Sequence, residues 1–463
     1  MPFDSALSEA RTYDNLHWFH PWEDMTRPGQ HDRSIITEGK GIYITDESGR
    51  QLIDGPAGMW CVQIGYGVEE LAQAAAEQML KMPYNNAFAM ANLPTPKLAR
   101  KLMELAPGDL GKIFFTTGGS TAVDTAIRFL QYRNNVIGRP EKKLILARED
   151  SYHGSTYLTA SISGKVGNKM FMDDATDLVR FVPSVNHYRF GQGLSEAAFS
   201  DQRIAAFEDQ IQAIGPERIM AFVSEPVQAS GGVIVAPEGY IRRTWELCRK
   251  YDIAYISDEV VTGFGRLGHW FASKQVFDIE PDIITTAKGL TSGYLPLGAA
   301  LISDRLYADV AGDNAKGAWF GSGFTYSGHP VTTAVGLKNI EIMERIGLLE
   351  HVRQVTPHFQ ARMHALRGHP IVGDVRGLGL VGCVDCRLTK DDTDPWAPKH
   401  NIGARLDRHC QTLGLILRPI LNMCVFSPPL VITEAEIDRM FDIMARGLDQ
   451  TLDELTREGV KVA

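Results

Sequence analysis

Three short apolar runs in the middle of the chain each end at a residue with an ionisable side chain. Such runs, bounded by glycine and proline, are typical of buried parallel strands. Ligands of parallel sheets bind beyond the carboxyl ends of the strands. The runs and the residues that follow them are 219–224 with Glu225, 253–257 with Asp258, and 283–287 with Lys288. The pattern therefore predicts that two carboxylates and a lysine meet in one crevice.

The first two thirds of the chain predict an α/β unit. Residues 41–54 have the pattern of a strand, a turn and a second strand. From around residue 66, helical periodicity alternates with short apolar runs, which indicates a mostly parallel sheet. Besides the three runs above, the predicted elements are strands at 113–116 and 144–147 and helices at 121–136 and 237–251.

Beyond residue 330 the pattern changes to long helices and glycine-rich strands. The predicted elements there are a helix at 330–346, strands within 372–384, a solvated acidic loop at 391–395 and a helix at 433–457. The last helix opens with a capping box, Thr433 followed by Glu436. We therefore predict a large α/β domain with a mostly parallel sheet and a small α+β domain built from both termini. The predicted boundaries are 1–60 and 330–463 for the small domain and 61–329 for the large domain.

The lysine and the carboxylates are the groups that an aldehyde cofactor with a ring nitrogen requires. Lysine forms a Schiff base with the aldehyde, and a carboxylate keeps the ring nitrogen protonated. The sequence thus predicts pyridoxal phosphate chemistry, with Lys288 as the catalytic residue and Asp258 as the partner of the ring nitrogen. Lys288, when free during turnover, can also carry the substrate proton. A lone lysine at the end of a strand is usually a surface residue. Here Asp258 and Glu225 stand at corresponding strand ends, which favours the catalytic interpretation.

A glycine pair follows the strand at 113–116 and precedes a helix. Backbone N–H groups and the helix N-terminus there can bind a phosphate, with Gly119 and the hydroxyl of Ser120 as the predicted contacts. A helix start with nothing bound is the alternative. The chain has no G-x-G-x-x-G motif and no Walker lysine, which disfavours a Rossmann or P-loop site and with it a nucleotide-dependent oxidoreductase.

Three further residues complete the predicted cofactor site. Tyr152 is expected to stack on the cofactor ring, with a capping aromatic as the alternative. Val260 is expected to cover the other ring face, unless it is ordinary core. Glu225 either holds the 3-hydroxyl region through Gln228 or has a structural role.

Composition narrows the class of protein. Net charge is -9 and no long basic run is present, which argues against nucleic acid as a partner. The polar N-terminus does not resemble a secretory signal, and no apolar stretch approaches the ~20 residues of a membrane span. A cytoplasmic protein without a metal is expected. Cys383 and Cys386 could be a redox or metal pair, but two buried small residues in a strand are the favoured interpretation.

Several segments together resemble a known family. They are WCV at 60–62, GYG at 65–67, YHGST at 152–156, EPVQ at 225–228, GGVIV at 231–235, DEV at 258–260, GFGR at 263–266, AKGL at 287–290, GFTYSGHP at 323–330 and SPPL at 427–430. From about residue 15 to 455 the chain resembles the class III, or omega, aminotransferases of the fold-type I pyridoxal phosphate enzymes. It looks most similar to the amine–pyruvate and polyamine–pyruvate transaminases.

The resemblance implies a homodimer whose active site is shared between the subunits. It implies that Thr325, otherwise one more loop hydroxyl, reaches the phosphate of the partner subunit's cofactor. It also implies that Arg418 binds the substrate carboxylate, which suits a guanidinium fork, although a salt bridge within the small domain is the alternative. The expected walls of the substrate pocket, each with core packing as the alternative, are Trp60, Phe88, Phe19 and Tyr152.

One position departs from the family pattern. Where the family's phosphate loop usually has glutamate, this chain has Thr121, while Gly119 and Ser120 remain. The change removes a charge near the expected phosphate and bears on cofactor affinity rather than cofactor identity.

The predicted function is transfer of an amino group from a primary amine or ω-amino acid to a keto acid, with pyruvate as the expected acceptor. The mechanism would be ping-pong through the Lys288 Schiff base. Other reactions on the same scaffold stay open, namely aminomutase, racemase or decarboxylase chemistry. So does a pyridoxal-phosphate-binding protein without turnover, which the set of Lys288, Asp258 and Arg418 argues against.

Overall fold

The computed structural model describes residues 2–30, 33–389 and 400–462. The acidic run at 391–395, predicted as a solvated loop, lies outside the described residues. The strands, numbered in chain order, are β1 (Ile36–Lys40), β2 (Tyr43–Asp46), β3 (Gln51–Asp54), β4 (Leu110–Thr116), β5 (Leu144–Arg148), β6 (Val179–Val182), β7 (Ile219–Ser224), β8 (Val227–Gln228), β9 (Ile234–Val235), β10 (Ala254–Asp258), β11 (Ile283–Thr286), β12 (Gly298–Ser303), β13 (Val372–Leu378), β14 (Val381–Cys386), β15 (Leu415–Ile416), β16 (Arg418–Ile420) and β17 (Met423–Phe426).

Helices surround these strands and account for the long periodic segments of the sequence. They are α1 (Pro2–His17), α2 (Ala57–Trp60), α3 (Glu69–Lys81), α4 (Pro94–Leu105), α5 (Gly119–Val136), α6 (Tyr157–Ile162), α7 (His187–Phe190), α8 (Glu196–Ile214), α9 (Tyr240–Lys250), α10 (Ala272–Gln275), α11 (Asp304–Ala308), α12 (Pro330–Arg345), α13 (Leu348–His364), α14 (Ile402–Leu413) and α15 (Glu434–Arg457). The predicted capping box is confirmed, since Thr433 and Glu436 cap each other's backbone N–H groups at the start of α15. None of the described helices is both long and apolar enough to cross a membrane.

The largest sheet has seven strands in the order β4-β12-β11-β10-β7-β5-β6. Its strands from β11 to β6 pair in parallel, and β12 runs antiparallel to both of its neighbours. Every residue of β7, β10 and β11 is buried, which explains their continuous apolar runs. The prediction of a mostly parallel α/β sheet is confirmed. The sequence reasoning did not identify β12, whose residues lie in a stretch rich in glycine and proline.

Two smaller sheets bring the ends of the chain together. β1, β2 and β3 form an antiparallel meander, as predicted, and β15 from the C-terminal part pairs in parallel with β3. β13, β14, β17 and β16 form a second sheet against α13 and α14, and Phe441 of α15 packs on Phe426 of β17. The small α+β unit is therefore built from both termini, whereas the boundaries at residues 60 and 329 stay predictions.

Cys383 and Cys386 lie on β14 and are fully buried. All six cysteines of the chain are free thiols. The placement matches the favoured interpretation of two buried small residues in a strand.

Candidate active site

A cavity of about 450 Å³ opens at the carboxyl ends of β7, β10 and β11. This is the edge at which the sequence places its carboxylates and lysine. The predicted residues that line the cavity are Trp60, Gly119, Ser120, Tyr152, Glu225, Asp258, Val260, Lys288 and Arg418. Glu225, Asp258 and Lys288 meet there because parallel strands deliver their ends to the same edge, whereas Trp60 and Arg418 come from α2 and β16.

Lys288 follows β11 and begins a short 3₁₀ turn with a φ of +34°, which is rare for a residue with a long side chain. Burial lowers the pKa of its amine, and Asp258, Cys61 and Glu225 partly offset this effect. The Nζ atom lies 5.8 Å from the centre of the Trp60 ring. A lysine with a lowered pKa is a better nucleophile and proton acceptor near neutral pH, so the environment suits the predicted catalytic role.

Asp258 ends β10 and is held in place by a buried histidine. Its Oδ2 atom lies 2.7 Å from Nδ1 of His153, and its Oδ1 atom accepts a hydrogen bond of 3.3 Å from the backbone N–H of Val260. Both side chains are almost fully buried. His153 follows Tyr152 in the sequence, and the sequence pattern did not predict a role for it. The structure shows that it orients the carboxylate proposed for the ring nitrogen.

Glu225 fastens the loop that carries Tyr152. Its carboxylate accepts hydrogen bonds from the backbone N–H of Tyr152, at 2.9 Å, and of Ala229, at 3.2 Å. Burial raises the pKa of Glu225, His153 lowers it and Asp258 raises it. Gln228 donates to the carbonyl of Glu149 at 2.8 Å and does not line the cavity. Of the two roles considered for Glu225, these contacts support the structural one.

The predicted phosphate loop sits at the start of α5, where Gly119 and Ser120 are the first two residues of an 18-residue helix. The hydroxyl of Thr121 donates to the carbonyl of Gly118 at 2.9 Å, so the residue that replaces the family's glutamate braces this turn. Gly298 of β12 makes the close packing possible, because a Cβ atom there would lie 2.3 Å from that carbonyl oxygen. The helix N-terminus has no side-chain cap, so its first backbone N–H groups can bind an anion.

The aromatic wall of the cavity comes from Trp60, Tyr152 and Trp22. Trp22 packs against Tyr152 with ring centres 6.4 Å apart. Phe19, the aromatic expected from the N-terminal segment, is 75% exposed and does not line the cavity. Both residues precede the first strand, and only the path of that segment decides which one reaches the site.

Trp60 itself ends α2, a short strained turn whose backbone departs from helical angles at Gly58 and Met59. Ala57 and Trp60 both have positive φ angles, of +47° and +62°. The buried carboxylate of Asp54 accepts hydrogen bonds from the backbone N–H of Gly58, at 2.6 Å, and from the hydroxyl of Tyr66. These contacts hold a backbone that would otherwise relax.

Arg418 begins β16 and points into the same cavity. Its guanidinium carbon lies 5.0 Å from the centre of the Trp60 ring. Burial lowers the pKa of Arg418, and Tyr152 partly offsets that effect. Among the described residues Arg418 makes no ion pair with a carboxylate, so the alternative of a salt bridge within the small domain is not observed.

Thr325 and Phe88 do not reach the cavity of their own chain. Phe88 is 80% exposed, and Thr325 is exposed beside it on the surface. The two segments touch, because the hydroxyl of Tyr84 donates to the carbonyl of Thr325 at 3.1 Å and Phe88 packs near Gly323.

The model of the family described as "Aminotransferase class-III" matches residues 25–448. The chain belongs to the class-III aminotransferases.

This aminotransferase is similar to proteins of known name over almost its whole length. It is 38% identical to putrescine–pyruvate aminotransferase of Pseudomonas aeruginosa, over 97% of this chain and 98% of that protein. It is 37% identical to diaminobutyrate–2-oxoglutarate transaminase of Halomonas elongata, over 92% of each chain. The solved structure of the omega transaminase from Pseudomonas jessenii in complex with PMP superimposes with a TM-score of 0.92, at 36% identity, covering 96% of this chain and 98% of that one.

Class-III aminotransferases depend on pyridoxal phosphate, and the cavity of this chain fits that cofactor. The helix start at Gly119 and Ser120 suits its phosphate, and the oriented carboxylate of Asp258 suits its ring nitrogen. Lys288 lines the same cavity and would supply the amine for its aldehyde. Tyr152 and Val260 line the cavity where the two ring faces are expected.

Proposed function

We propose that this aminotransferase moves an amino group from a primary amine or ω-amino acid to a keto acid, with pyruvate as the acceptor, in a ping-pong mechanism. The observation that carries the proposal is that Arg418 and Lys288 share one cavity, both within 6 Å of the Trp60 ring centre. A cation for a carboxylate therefore stands near the group that handles the substrate proton. The similarity to a putrescine–pyruvate aminotransferase supports this donor and acceptor.

Each cavity residue has a separate task in this proposal. Bound pyridoxal phosphate supplies an electron sink for the substrate carbon that loses its proton. The amine of Lys288, whose pKa burial lowers, takes up that proton and would deliver it to the cofactor carbon. Asp258, oriented by His153, keeps a negative charge beside the ring nitrogen. Gly119 and Ser120 hold the phosphate end in place.

Arg418 binds the keto acid, and the ring of Trp60 offers the Arg418 side chain a second position. A guanidinium can bind a carboxylate through two parallel hydrogen bonds. With an amine that lacks a carboxylate, the guanidinium can stay against the Trp60 ring by a cation–π contact. One cavity can thereby accept both substrates in turn.

Arg418→Met is expected to raise the KM for pyruvate at least about 100-fold, because two hydrogen bonds to a charged group are lost and each contributes about 1.5–3 kcal/mol. The rate with a carboxylate-free amine in the first half-reaction should stay within about threefold of the wild type, since no bond to Arg418 is lost there. Steady-state kinetics with putrescine and pyruvate, together with single-turnover absorbance of the amine step alone, measure both quantities.

Arg439→Met is the matched control, because Arg439 also lies over an aromatic ring, that of Tyr43, and does not line the cavity. It should leave both half-reactions unchanged. An equal loss of both half-reactions in Arg418→Met would contradict the carboxylate role. Wild-type turnover with 2-oxoglutarate but not with pyruvate would contradict the proposed acceptor.

We also propose that the protein is a homodimer in which each subunit lends Thr325 and Phe88 to the site of the other. Both residues lie on a surface rich in exposed apolar side chains. Its members are Tyr84, Phe88, Met90, Leu93, Trp319 and Tyr326. Exposed apolar side chains in this number are typical of a protein interface. A cytoplasmic location stays a prediction.

A mixing experiment tests the shared site. Lys288→Ala and Thr325→Asp should each be inactive, the second because a carboxylate would repel the cofactor phosphate. In mixed dimers one of the two sites has both native residues, so unfolding and refolding an equal mixture should restore activity that neither variant shows alone. Refolding each variant by itself is the control. A mixture that stays as inactive as its parents, with dimers present, would contradict the shared site.

A further inference from the structure

Arg418 stands at one end of a row of four residues that crosses the sheet of β13, β14, β17 and β16. Arg418 pairs with Val425 on β17, and Val425 pairs with Cys383 on β14. Cys383 pairs in turn with Arg376 on β13. Residues that pair directly across antiparallel strands place their side chains on the same face of a sheet. The two arginines therefore lie on the two edge strands of one sheet, in the same row and on the same face.

The middle of this row packs against the wall of the active-site cavity. Cys383 and Val425 are fully buried, and they belong to one apolar cluster with Trp60 and with residues of the loop at 229–233. Trp60 lines the cavity, and the same loop contributes Ser230 to the lining. The sheet that carries Arg418 is thus packed directly on residues that shape the cavity.

Arg376 holds the far end of the row to the same loop. Its Nε atom donates to the carbonyl oxygen of Gly232 at 2.8 Å, and its Nη1 atom donates to Asp374 at 3.0 Å and to Asp385 at 3.1 Å. Gly232 has a φ of +95°, and a Cβ atom there would lie 2.3 Å from Sδ of Met423 on β17. The loop is therefore pressed against the sheet at a position that only glycine fits.

We propose that Arg376 is a positioning residue that sets the place of Arg418 in the cavity, by bonding the edge of its sheet to the loop at 229–233. The inference rests on the proposed role of Arg418, and it adds a residue that does not itself line the cavity. A guanidinium fork binds a carboxylate only in a narrow geometry, so a small displacement of the sheet weakens the fork. The bond to Gly232 prevents that displacement.

The contacts of Arg376 suggest a variant that removes this bond and keeps the charge. The guanidinium donates to three acceptors at once, the Gly232 carbonyl and two carboxylates. A lysine has a single nitrogen on a flexible chain, so it cannot reproduce this arrangement. Asp385 would also keep its ion pairs with Arg189 and Arg387, both at 2.8 Å. Arg376→Lys therefore breaks the contact with the loop while the buried charges stay paired.

A double-mutant cycle tests this inference through steady-state kinetics with putrescine and pyruvate. Arg376→Lys should raise the KM for pyruvate about tenfold, within the range found for residues that act together. The rate of the amine half-reaction, measured by single-turnover absorbance, should change less than about twofold, because the amine needs no bond to Arg418. In an Arg418→Met background the same substitution should not raise the KM for pyruvate further, since no fork is left to position.

Two further variants make the result specific. Gly232→Ala should act like Arg376→Lys, because the added methyl group pushes the loop away from the sheet without changing any charge. Arg367→Lys is the matched control, since Arg367 also donates to a backbone carbonyl, that of Val375 on β13, and does not contact the loop. It should behave as the wild type.

Equal rises in the KM for pyruvate with and without Arg418 would overturn the inference, and so would an unchanged KM in both Arg376→Lys and Gly232→Ala. A lower unfolding temperature with unchanged kinetics would show a structural role only, and would also overturn it. If Arg376→Lys does not fold, the cycle with Gly232→Ala decides the question. Failure of the proposed function looks different, because Arg418→Met alone would then leave the KM for pyruvate unchanged.

Discussion

Replacing Lys288 by alanine should lower turnover roughly 10⁴-fold, the upper range for loss of a positioned acid–base group. The variant also loses the amine that would bond to the cofactor aldehyde. The phosphate loop and the Tyr152 wall remain, so the protein should still retain some pyridoxal phosphate. Single-turnover absorbance with putrescine measures the rate, and the cofactor content of the purified variant is read from the same spectrum.

Lys274→Ala provides the comparison for that variant, because Lys274 is a surface lysine paired with Asp278 and Glu280. It should turn over at the wild-type rate. Turnover by Lys288→Ala within tenfold of the wild type would exclude Lys288 as the catalytic lysine.

Asp258→Asn should have the second largest effect, a loss of roughly 10³-fold in turnover. The substitution keeps the size of the side chain and removes the negative charge that would hold the ring nitrogen protonated. The substitution also replaces the carboxylate in the 2.7 Å contact with His153 by an amide. Single-turnover rates measure the loss, and thermal unfolding shows whether the fold is intact.

Asp304→Asn is the control for that charge, since Asp304 is an exposed residue at the start of α11 that pairs with Lys112. We expect full activity from it. A loss of less than about threefold in Asp258→Asn would remove Asp258 from the mechanism.

Much of the site could be predicted because its key residues follow strands. Glu225, Asp258 and Lys288 each end a continuous apolar run, and parallel strands place such ends at one edge. The start of α5 could also be predicted, because two glycines stand where a periodic helix begins. These signals are local in sequence, and the sheet converts them into proximity.

The rest of the site depends on contacts that have no local signal. Trp22 reaches the cavity and Phe19 does not, although both belong to the same N-terminal segment. Lys165 meets Ser230 across 65 residues of sequence, and His153 meets Asp258 across 105. Trp60 has a positive φ in a turn whose Gly58 N–H is bound by the buried carboxylate of Asp54, and no local pattern predicts that contact.

An absorbance spectrum of the purified protein, recorded before and after addition of putrescine without a keto acid, separates the two half-reactions. We expect a visible cofactor band that shifts to shorter wavelength with the amine and returns when pyruvate is added. Two results would contradict transamination by this cavity. One is a cofactor band that does not respond to any amine in a varied panel, and the other is a shifted band that none of the keto acids added restores.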